Sequence, residues 1–239
     1  MTQSRLFDVL AATWPAAATR SVGPITIRDG KGGGKRVSAA TAEGPVTAAD
    51  LPAAEEAMRA LGQAPLFMIR PGEEALDALL ETEGYTVVDP TRIYDAPAET
   101  VARAARPEGQ IGTIAVWEPL AFMLEVWREG GIGPDRIEVM NRVQGPKTGL
   151  IGRIGNGPGG TAFVAVHGDT AMLHALEVRR DRRRGGMGRG ATIDAAKWGI
   201  AQGATRFALA CTEANAAANA LYSSLGMEAV TGYHYRQKT

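Results

Sequence analysis

The sequence predicts an α/β (α+β) fold, in which short apolar strands alternate with amphipathic helices along 239 residues. The first observation is a strand–loop–helix unit, in which the strand 172–178 leads through an arginine- and glycine-rich loop into a helix starting at Met187. The second is a β-α-α-β-β-β-α-β-α-β order from residue 111 onward. Apolar residues make up 45% of the chain, a share typical of a packed globular protein.

The chain divides into two predicted parts, residues 1–105 and 106–239. In the first part, helices are predicted at Leu6–Ala12, Ala48–Leu61 and Gly72–Glu83, and strands at Pro24–Arg28, Leu66–Arg70 and Tyr85–Val88. In the second part, strands are predicted at Ile111–Trp117, Thr148–Ile154, Thr161–His167, Ala171–Val178, Thr205–Thr212 and within Glu228–Arg236. Its helices are predicted at Glu118–Arg128, Pro134–Val143, Met187–Gln202 and Asn215–Ser224.

Two connecting segments of the first part are predicted from glycine and proline content. Residues 30–36, Gly-Lys-Gly-Gly-Gly-Lys-Arg, lack the Ser/Thr and the following helix of a phosphate-binding loop, which favours a hairpin loop between two strands. Residues 90–109 contain three prolines and several alanines, which indicates a crossover or linker between the two parts.

The arginine- and glycine-rich loop 179–189 has the character of an anion site. Gly186 and Gly188 allow the backbone to approach a phosphate, and the helix that follows directs free N–H groups and a favourable dipole to the same place. The glycines also fit a loose dinucleotide fingerprint, but that fingerprint needs the strand to lead almost directly into the first glycine. Here seven residues, five of them arginines, separate Val178 from Gly186. A nucleic-acid interpretation of the arginines lacks interleaved aromatic residues and a basic tail.

Two spaced motifs resemble signatures of the GNAT superfamily of N-acetyltransferases. The first is Arg183-x-x-Gly186-x-Gly188, and the second runs from Asn215 through Leu221-Tyr222 to Leu225-Gly226-Met227. The resemblance covers about residues 111–239 and implies a mixed, mostly antiparallel sheet flanked by helices. Leu79-Leu80 and Gly84-Tyr85 echo the Leu225-Gly226 ending, which suggests that the N-terminal α+β part is a degenerate GNAT-like half.

The same resemblance implies acetyl-CoA as co-substrate and assigns the residues that hold it. Main-chain groups of two residues on the strand would bind the pantetheine arm, and the loop would bind the pyrophosphate. The implied cofactor-binding residues are Leu176, Val178, Arg183, Arg184, Gly185, Gly186, Met187, Gly188, Arg189 and Asn215.

His174 and Tyr222 are the catalytic candidates. Strand 172–178 resembles the catalytic strand of the arylalkylamine N-acetyltransferases, which carry two alternate histidines, although Met172 replaces the first one here. His174 has a suitable ordinary pKa for a general base, with a structural, hydrogen-bonded histidine as the alternative. Tyr222 would protonate the leaving thiolate. Glu177 is the competing base, but on a regular strand it points to the face opposite His174.

The predicted function is therefore acetyl-CoA-dependent N-acetylation of a primary amine on a small molecule or peptide, by direct attack in a ternary complex. The alternative is a catalytically silent acyl-CoA-binding or regulatory GNAT-like module. No metal, nucleic-acid or membrane partner is expected, and a homodimer is left open. Cys211 is the sole cysteine, and Lys plus Arg (26) balance Asp plus Glu (26). No secretory segment is recognised near Met1, so a cytoplasmic location is expected.

Overall fold

The computed structural model describes residues 3–106, 112–154 and 157–238. Its helices are α1 Gln3–Thr13, α2 Lys35–Ser38, α3 Leu51–Ala60, α4 Glu74–Thr82, α5 Ala98–Ala102, α6 Ala121–Glu129, α7 Pro134–Arg142, α8 Met187–Ala201 and α9 Ala216–Ser224. Its strands are β1 Ala18–Val22, β2 Ile25–Asp29, β3 Thr41–Ala42, β4 Leu66–Ile69, β5 Thr86–Pro97, β6 Ile114–Val116, β7 Lys147–Ile154, β8 Gly157–His167, β9 Thr170–Val178, β10 Arg206–Thr212 and β11 Glu228–Gln237. Ile111, the first residue of a predicted strand, lies outside the described residues, as do residues 107–109 of the predicted linker.

An eight-stranded sheet organises the molecule, in the order β4-β11-β5-β10-β9-β8-β7-β6. Within it, β9 and β10 run parallel, and the other named pairs are antiparallel. A smaller sheet contains β1, β2 and β3. The predicted mixed, mostly antiparallel sheet flanked by helices is confirmed.

Helices cover both faces of the large sheet. On one face, α5, α8 and α9 pack through residues such as Val101, Ile193 and Tyr222. On the other face, α1, α6 and α7 pack through residues such as Leu6 and Trp127. Two apolar layers around a sheet bury far more surface than a one-sided sheet, and this burial is the main driving force for the fold.

The two parts of the sequence are interleaved in the sheet rather than side by side. Strand β5 lies between β10 and β11, and β4 pairs with the outer side of β11. The order helix, positive-φ glycine, strand occurs twice, as α4–Gly84–β5 and α9–Gly226–β11. β5 ends the first part and β11 ends the second, and each pairs with a strand of the other part: β11 with β4, and β5 with β10. This exchange of last strands fits the description of two GNAT-like halves. The division near residue 105 stays a prediction.

Two predictions for the connecting segments are wrong. Residues 90–102 are not a linker, because β5 continues to Pro97 and α5 follows directly. Pro90 is tolerated because it lies at an irregularity in the β5–β11 register, beside Asp89 with φ 48°. Residues 30–36 do not close a hairpin, because the short helix α2 begins at Lys35.

Candidate active site

A cleft of about 550 Å³ opens where the end of β9, the loop after it, and the first turns of α8 and α9 meet. Of the residues implied to bind the cofactor, all but Gly185 line this cleft, and Tyr222 lines it too. The lining residues are Leu176, Glu177, Val178, Arg183, Arg184, Gly186, Met187, Gly188, Arg189, Asn215, Ala217, Ala218, Leu221 and Tyr222. The sequence motifs are therefore brought together in space.

The N-terminus of α8 faces this cleft with its backbone. Gly186 has φ 79°, a left-handed conformation that turns the chain sharply into the helix, and no side chain caps that end. The first N–H groups of a helix have no partner inside it, so those of α8 are available to an anion. Gly188 has little spare room, since a Cβ there would lie 3.3 Å from Cδ2 of Leu221.

The arginines of the loop differ in their contacts. Arg189 donates from Nε to the carbonyl of Ala105 (2.7 Å) and from Nη1 to Oγ of Ser224 (2.9 Å), so it braces the helix. Arg183 donates from Nε to the carbonyl of Val178 (3.3 Å). Arg183 and Arg184 are both exposed, so their guanidinium groups can reach a ligand in the cleft.

Strands β9 and β10 separate next to this cleft. Their parallel pairing runs from Thr170/Arg206 to Leu173/Leu209 and stops, although both strands continue. The unpaired edges of β9 beyond Leu173 therefore present backbone N–H and C=O groups to whatever enters the gap.

A bulge in β9 changes the direction of its side chains. Ala175 has φ 50°, and the β8–β9 register shifts so that His174 pairs with Phe163 while Glu177 pairs with Thr161. Because Phe163 and Thr161 are two residues apart on β8, their partners lie on one face of the sheet. The expectation that Glu177 and His174 point to opposite faces is wrong for this reason.

Glu177 lies in the cleft, with its side chain against the end of α6. Burial raises the pKa of its carboxyl group, and the charges of Arg183 and Arg136 partly oppose that rise. Its side chain packs closely on Gly130, where a Cβ would approach the Glu177 Cδ atom to 2.5 Å. A half-buried carboxylate with a raised pKa is suited to accepting a proton near neutral pH.

Tyr222 and Asn215 occupy the α9 side of the cleft. Tyr222 is 7% exposed, and burial raises the pKa of its hydroxyl, so it stays protonated and can donate a proton. Asn215 caps α9, because its Oδ1 accepts a hydrogen bond from the Ala218 N–H (3.2 Å). Asn215 also lines the cleft.

His174 does not line the cleft. It is 4% exposed, stacks on Trp14 with ring centroids 5.0 Å apart, and has polar partners at both ring nitrogens. Nε2 lies 2.9 Å from Oγ1 of Thr13, and Nδ1 lies 3.2 Å from Nη1 of Arg36. Burial, and secondarily the charge of Arg36, lowers the pKa of His174 well below its ordinary value, so the ring is neutral. Its predicted role as a base stays a prediction.

A second pocket, of about 440 Å³, lies on the other face of the sheet, beside the point where β9 and β10 separate. We call it the acceptor-side pocket. Its lining residues are Trp14, Gly33, Gly34, Lys35, Arg36, Asp89, Thr91, Ile132, Arg136, Ala175, Ala210, Thr212, Tyr233 and Tyr235. Sequence reasoning missed Trp14, Arg36 and Arg136, because they come from three distant segments that carry no shared motif.

Across residues 3–106, 112–154 and 157–238, no group of three or more His, Cys, Asp or Glu side chains could hold a metal ion. No helix in them is long and apolar enough to cross a membrane.

Comparison with known proteins gives a family and a fold. Residues 136–227 match the Acetyltransferase (GNAT) family. Comparison with the curated proteins finds no match. A GCN5-related N-acetyltransferase from Kribbella flavida superposes with a TM-score of 0.68 at 21% identity, covering 98% of this chain and 95% of the other.

Two other solved structures extend that result. A functionally unknown conserved protein from Staphylococcus epidermidis gives a TM-score of 0.72 at 10% identity, covering 100% of this chain and 97% of its own. A tandem GNAT protein from the clavulanic acid biosynthesis pathway gives 0.62 at 15% identity, covering 84% and 74%. Residues 136–227 therefore match the GNAT acetyltransferase family, and the chain shares the fold of these solved structures.

Proposed function

We propose that this protein transfers the acetyl group of acetyl-CoA to a primary amine of a small molecule or peptide, by direct attack in a ternary complex. The family match supports acyl transfer from acetyl-CoA. The observation that carries the finer proposal is that both cavities border the stretch where β9 and β10 separate: Ala175 and Thr212 line the acceptor-side pocket, and Leu176 lines the cleft. A thioester and an amine could thus approach from two sides.

The residues of the cleft fit acetyl-CoA, which supplies an activated acetyl thioester when bound. The uncapped N-terminus of α8, with Gly186 and Gly188, would hold the pyrophosphate, and Arg183 and Arg184 would add positive charge. Backbone groups of Leu176 and Val178 at this edge of β9 would fix the pantetheine arm. An N–H near Leu176 would stabilise negative charge on the acetyl oxygen during attack.

Proton transfer is assigned to two residues that line the cleft. We propose Glu177 as the group that accepts the proton of the attacking amine, because it lines the cleft at the end of β9 and burial raises its pKa. Tyr222 would donate a proton to the departing thiolate. His174 remains the alternative base, but both its ring nitrogens are engaged by Arg36 and Thr13.

The test is a turnover screen with acetyl-CoA and a panel of amines, amino acids and peptides, detecting the free thiol. Release of CoA that depends on the acceptor, with mass spectrometry of the N-acetylated product, supports the proposal. The alternative, a silent acyl-CoA-binding module, predicts tight acetyl-CoA binding by calorimetry with no acceptor-dependent thiol. That outcome would overturn the enzymatic assignment.

A further inference from the structure

The acceptor-side pocket carries an excess of positive charge. Lys35, Arg36 and Arg136 line it, against a single carboxylate from Asp89. That carboxylate is already paired, because Nζ of Lys35 lies 2.7 Å from Asp89 Oδ2 at the exposed rim. The two arginines are therefore left without a carboxylate of the pocket.

Arg36 forms no ion pair with a carboxylate of the described residues. Its Nη1 contacts the neutral His174 ring, and its Nε is buried without a hydrogen-bond partner in the described part of the chain. Tyr233 and Tyr235 also lie close to the guanidinium. Burial raises the pKa of the Tyr235 hydroxyl, so it brings no negative charge at neutral pH. A half-buried arginine without an anion is unusual, because buried charges in proteins are normally paired.

Arg136 enters the pocket from the start of α7. Its guanidinium lies over Gly34, where a Cβ would come within 3.3 Å of both Nε and Nη2. Gly34 has φ 95°, so the loop 30–36 approaches the arginine in a conformation that favours glycine. Over the described residues, no ion pair joins Arg136 to a carboxylate, although the charge of Arg136 does influence Glu177.

We propose that the acceptor amine also carries a carboxylate, and that Arg36 and Arg136 bind this carboxylate in the acceptor-side pocket. The inference rests on the proposed acetyl transfer and names its substrate class as amino acids. Guanidinium groups bind carboxylates through paired N–H donors. The substrate carboxylate would supply the negatively charged partner that Arg36 lacks. The walls of Trp14, Tyr233 and Tyr235 offer apolar contact to the carbon skeleton between the two charged ends.

The reaction with such an acceptor balances without another reactant. The amine nitrogen forms a bond to the thioester carbon, the carbon–sulfur bond breaks, and the products are an N-acetylamino acid and CoA. The attacking nitrogen loses its proton to Glu177, and the sulfur gains one from Tyr222. The carboxylate keeps its charge throughout, so the arginines hold substrate and product alike and act on affinity rather than on the chemical step.

The test compares matched acceptors that differ only in the carboxylate. One set is phenylalanine, phenylalaninamide and phenethylamine; a second is glycine, β-alanine and 4-aminobutanoate against propylamine, which varies the distance between the charges. We expect at least one carboxylate member to exceed its matched neutral compound in kcat/KM by about 30-fold or more. Calorimetry with the same compounds and CoA-loaded protein measures binding independently of turnover.

Three variants assign the effect to the two arginines. Arg36→Gln and Arg136→Gln should each raise KM for the carboxylate acceptor by about tenfold or more and leave KM for its carboxamide within about twofold. Arg103→Gln is the control, since that arginine pairs with Glu99 on α5. If Arg36→Gln does not fold, Arg136→Gln carries the comparison.

The outcomes separate this inference from the proposed function. If amines are acetylated with no preference for a carboxylate, or if both arginine variants keep that preference, the inference is wrong and acetyl transfer stands. If no amine releases CoA, the proposed function fails. In that case, tighter calorimetric binding of a carboxylate ligand, lost in Arg36→Gln or Arg136→Gln, would still support the anion site, and equal binding would overturn it.

Discussion

Nδ1 of His174 accepts a hydrogen bond from Nη1 of Arg36, 3.2 Å away, because a guanidinium can only donate. The neutral ring therefore carries its proton on Nε2, which donates to Oγ1 of Thr13 (2.9 Å). Thr13 in turn donates to the carbonyl of Val9 (2.7 Å). This chain of bonds leaves no lone pair on His174 for a substrate proton, and it fixes Arg36 at the acceptor-side pocket. We infer that His174 is a positioning residue.

The first prediction separates the two candidate bases. Glu177→Gln should lower kcat by about 10²-fold with little change in KM for acetyl-CoA, because the amide cannot accept the proton. The loss should shrink as pH rises and the free amine becomes abundant. The measurement is the pH dependence of kcat and kcat/KM for wild type and variant.

His174→Asn is the matched comparison for that experiment. The amide oxygen of asparagine can accept from Arg36 as Nδ1 does, but it cannot act as a base. We expect kcat within about threefold of wild type for His174→Asn. His174→Leu, which offers no acceptor, should instead raise KM for the amine. A 10²-fold loss of kcat in the asparagine variant, with Glu177→Gln active, would return the role of base to His174.

The second prediction concerns stability at acidic pH. The pKa of His174 is lowered in the folded protein, mainly by burial, whereas in the unfolded chain it is about 6.5. Below that pH the unfolded state binds a proton that the folded state refuses, so stability falls with pH until the folded pKa is reached. His174→Asn removes this penalty. Its Tm should therefore fall less than that of wild type between about pH 7.5 and 5, measured by calorimetry.

Carboxylates such as Asp77, which pairs with Arg236, also lose stabilising contacts as pH falls. They do so in both proteins, so the difference between the two Tm curves isolates His174. A constant difference across that pH range would show that His174 is not kept neutral by the fold.

The order of the elements after residue 111 could be predicted because each has a strong local signal. Strands alternate with helices, and glycines such as Gly203 and Gly226 mark where helices end. Most residues that line the cleft could be named for the same reason, since the end of β9, the loop and helix α8 form one continuous segment. Local sequence was enough wherever one segment supplied the site.

The remaining features depend on contacts between distant segments. The continuation of β5 through Pro90 follows from pairing with β10 and β11, which no local pattern encodes. The bulge at Ala175 is set by the register with β8. It puts Glu177 on the same face as His174, whereas regular alternation along a strand would put them on opposite faces. The acceptor-side pocket draws Trp14, Arg36 and Arg136 together from three segments. Such convergence is a property of the tertiary fold.

The third prediction tests the phosphate cradle. Gly188→Val should weaken acetyl-CoA binding by about tenfold or more, which is about 1.4 kcal/mol. A Cβ at position 188 would lie 3.3 Å from Cδ2 of Leu221, so the valine side chain would crowd Leu221. It would also keep a phosphate away from the backbone. Calorimetry measures the change. Gly44→Val is the control, because nothing lies within 4 Å of a Cβ there. Unchanged affinity in a folded Gly188→Val protein would exclude the cradle.

The fourth prediction is that one chain binds one acetyl-CoA, although the fold has two similar halves. In the first half, α3 occupies the place in the order that α8 has in the second. The turn that leads into α3 is closed by a capping box, in which Asp50 accepts hydrogen bonds from the N–H and hydroxyl of Thr47 (2.8 and 2.7 Å). Pro52 also removes an N–H from the first turn of α3.

A carboxylate and a missing donor make this end unsuitable for a phosphate. Titration calorimetry should give a stoichiometry of one acetyl-CoA per chain, and Gly188→Val should weaken that single binding event and lower turnover. A second site of comparable affinity that survives Gly188→Val would show that the first half also binds the cofactor.

The fifth prediction concerns the dependence of the second half on the first. Every recognised cofactor element lies at or after Leu176, which by itself suggests that residues 106–239 bind acetyl-CoA alone. The sheet argues otherwise, because removing residues 1–105 takes β5 from between β10 and β11 and β4 from the edge of β11. Two backbone edges and the apolar face beneath α1 would be exposed, which favours aggregation.

We therefore expect residues 106–239 expressed alone to lack a cooperative thermal transition and to bind no acetyl-CoA by calorimetry. Expressing residues 1–105 and 106–239 together as two separate chains should restore both, because β5 can pair with β10 and β11 without a covalent link. The matched control is the intact chain cut by a protease between residues 105 and 106. A soluble 106–239 fragment that unfolds cooperatively and binds acetyl-CoA as tightly as the whole chain would show that the interleaved strand β5 is dispensable.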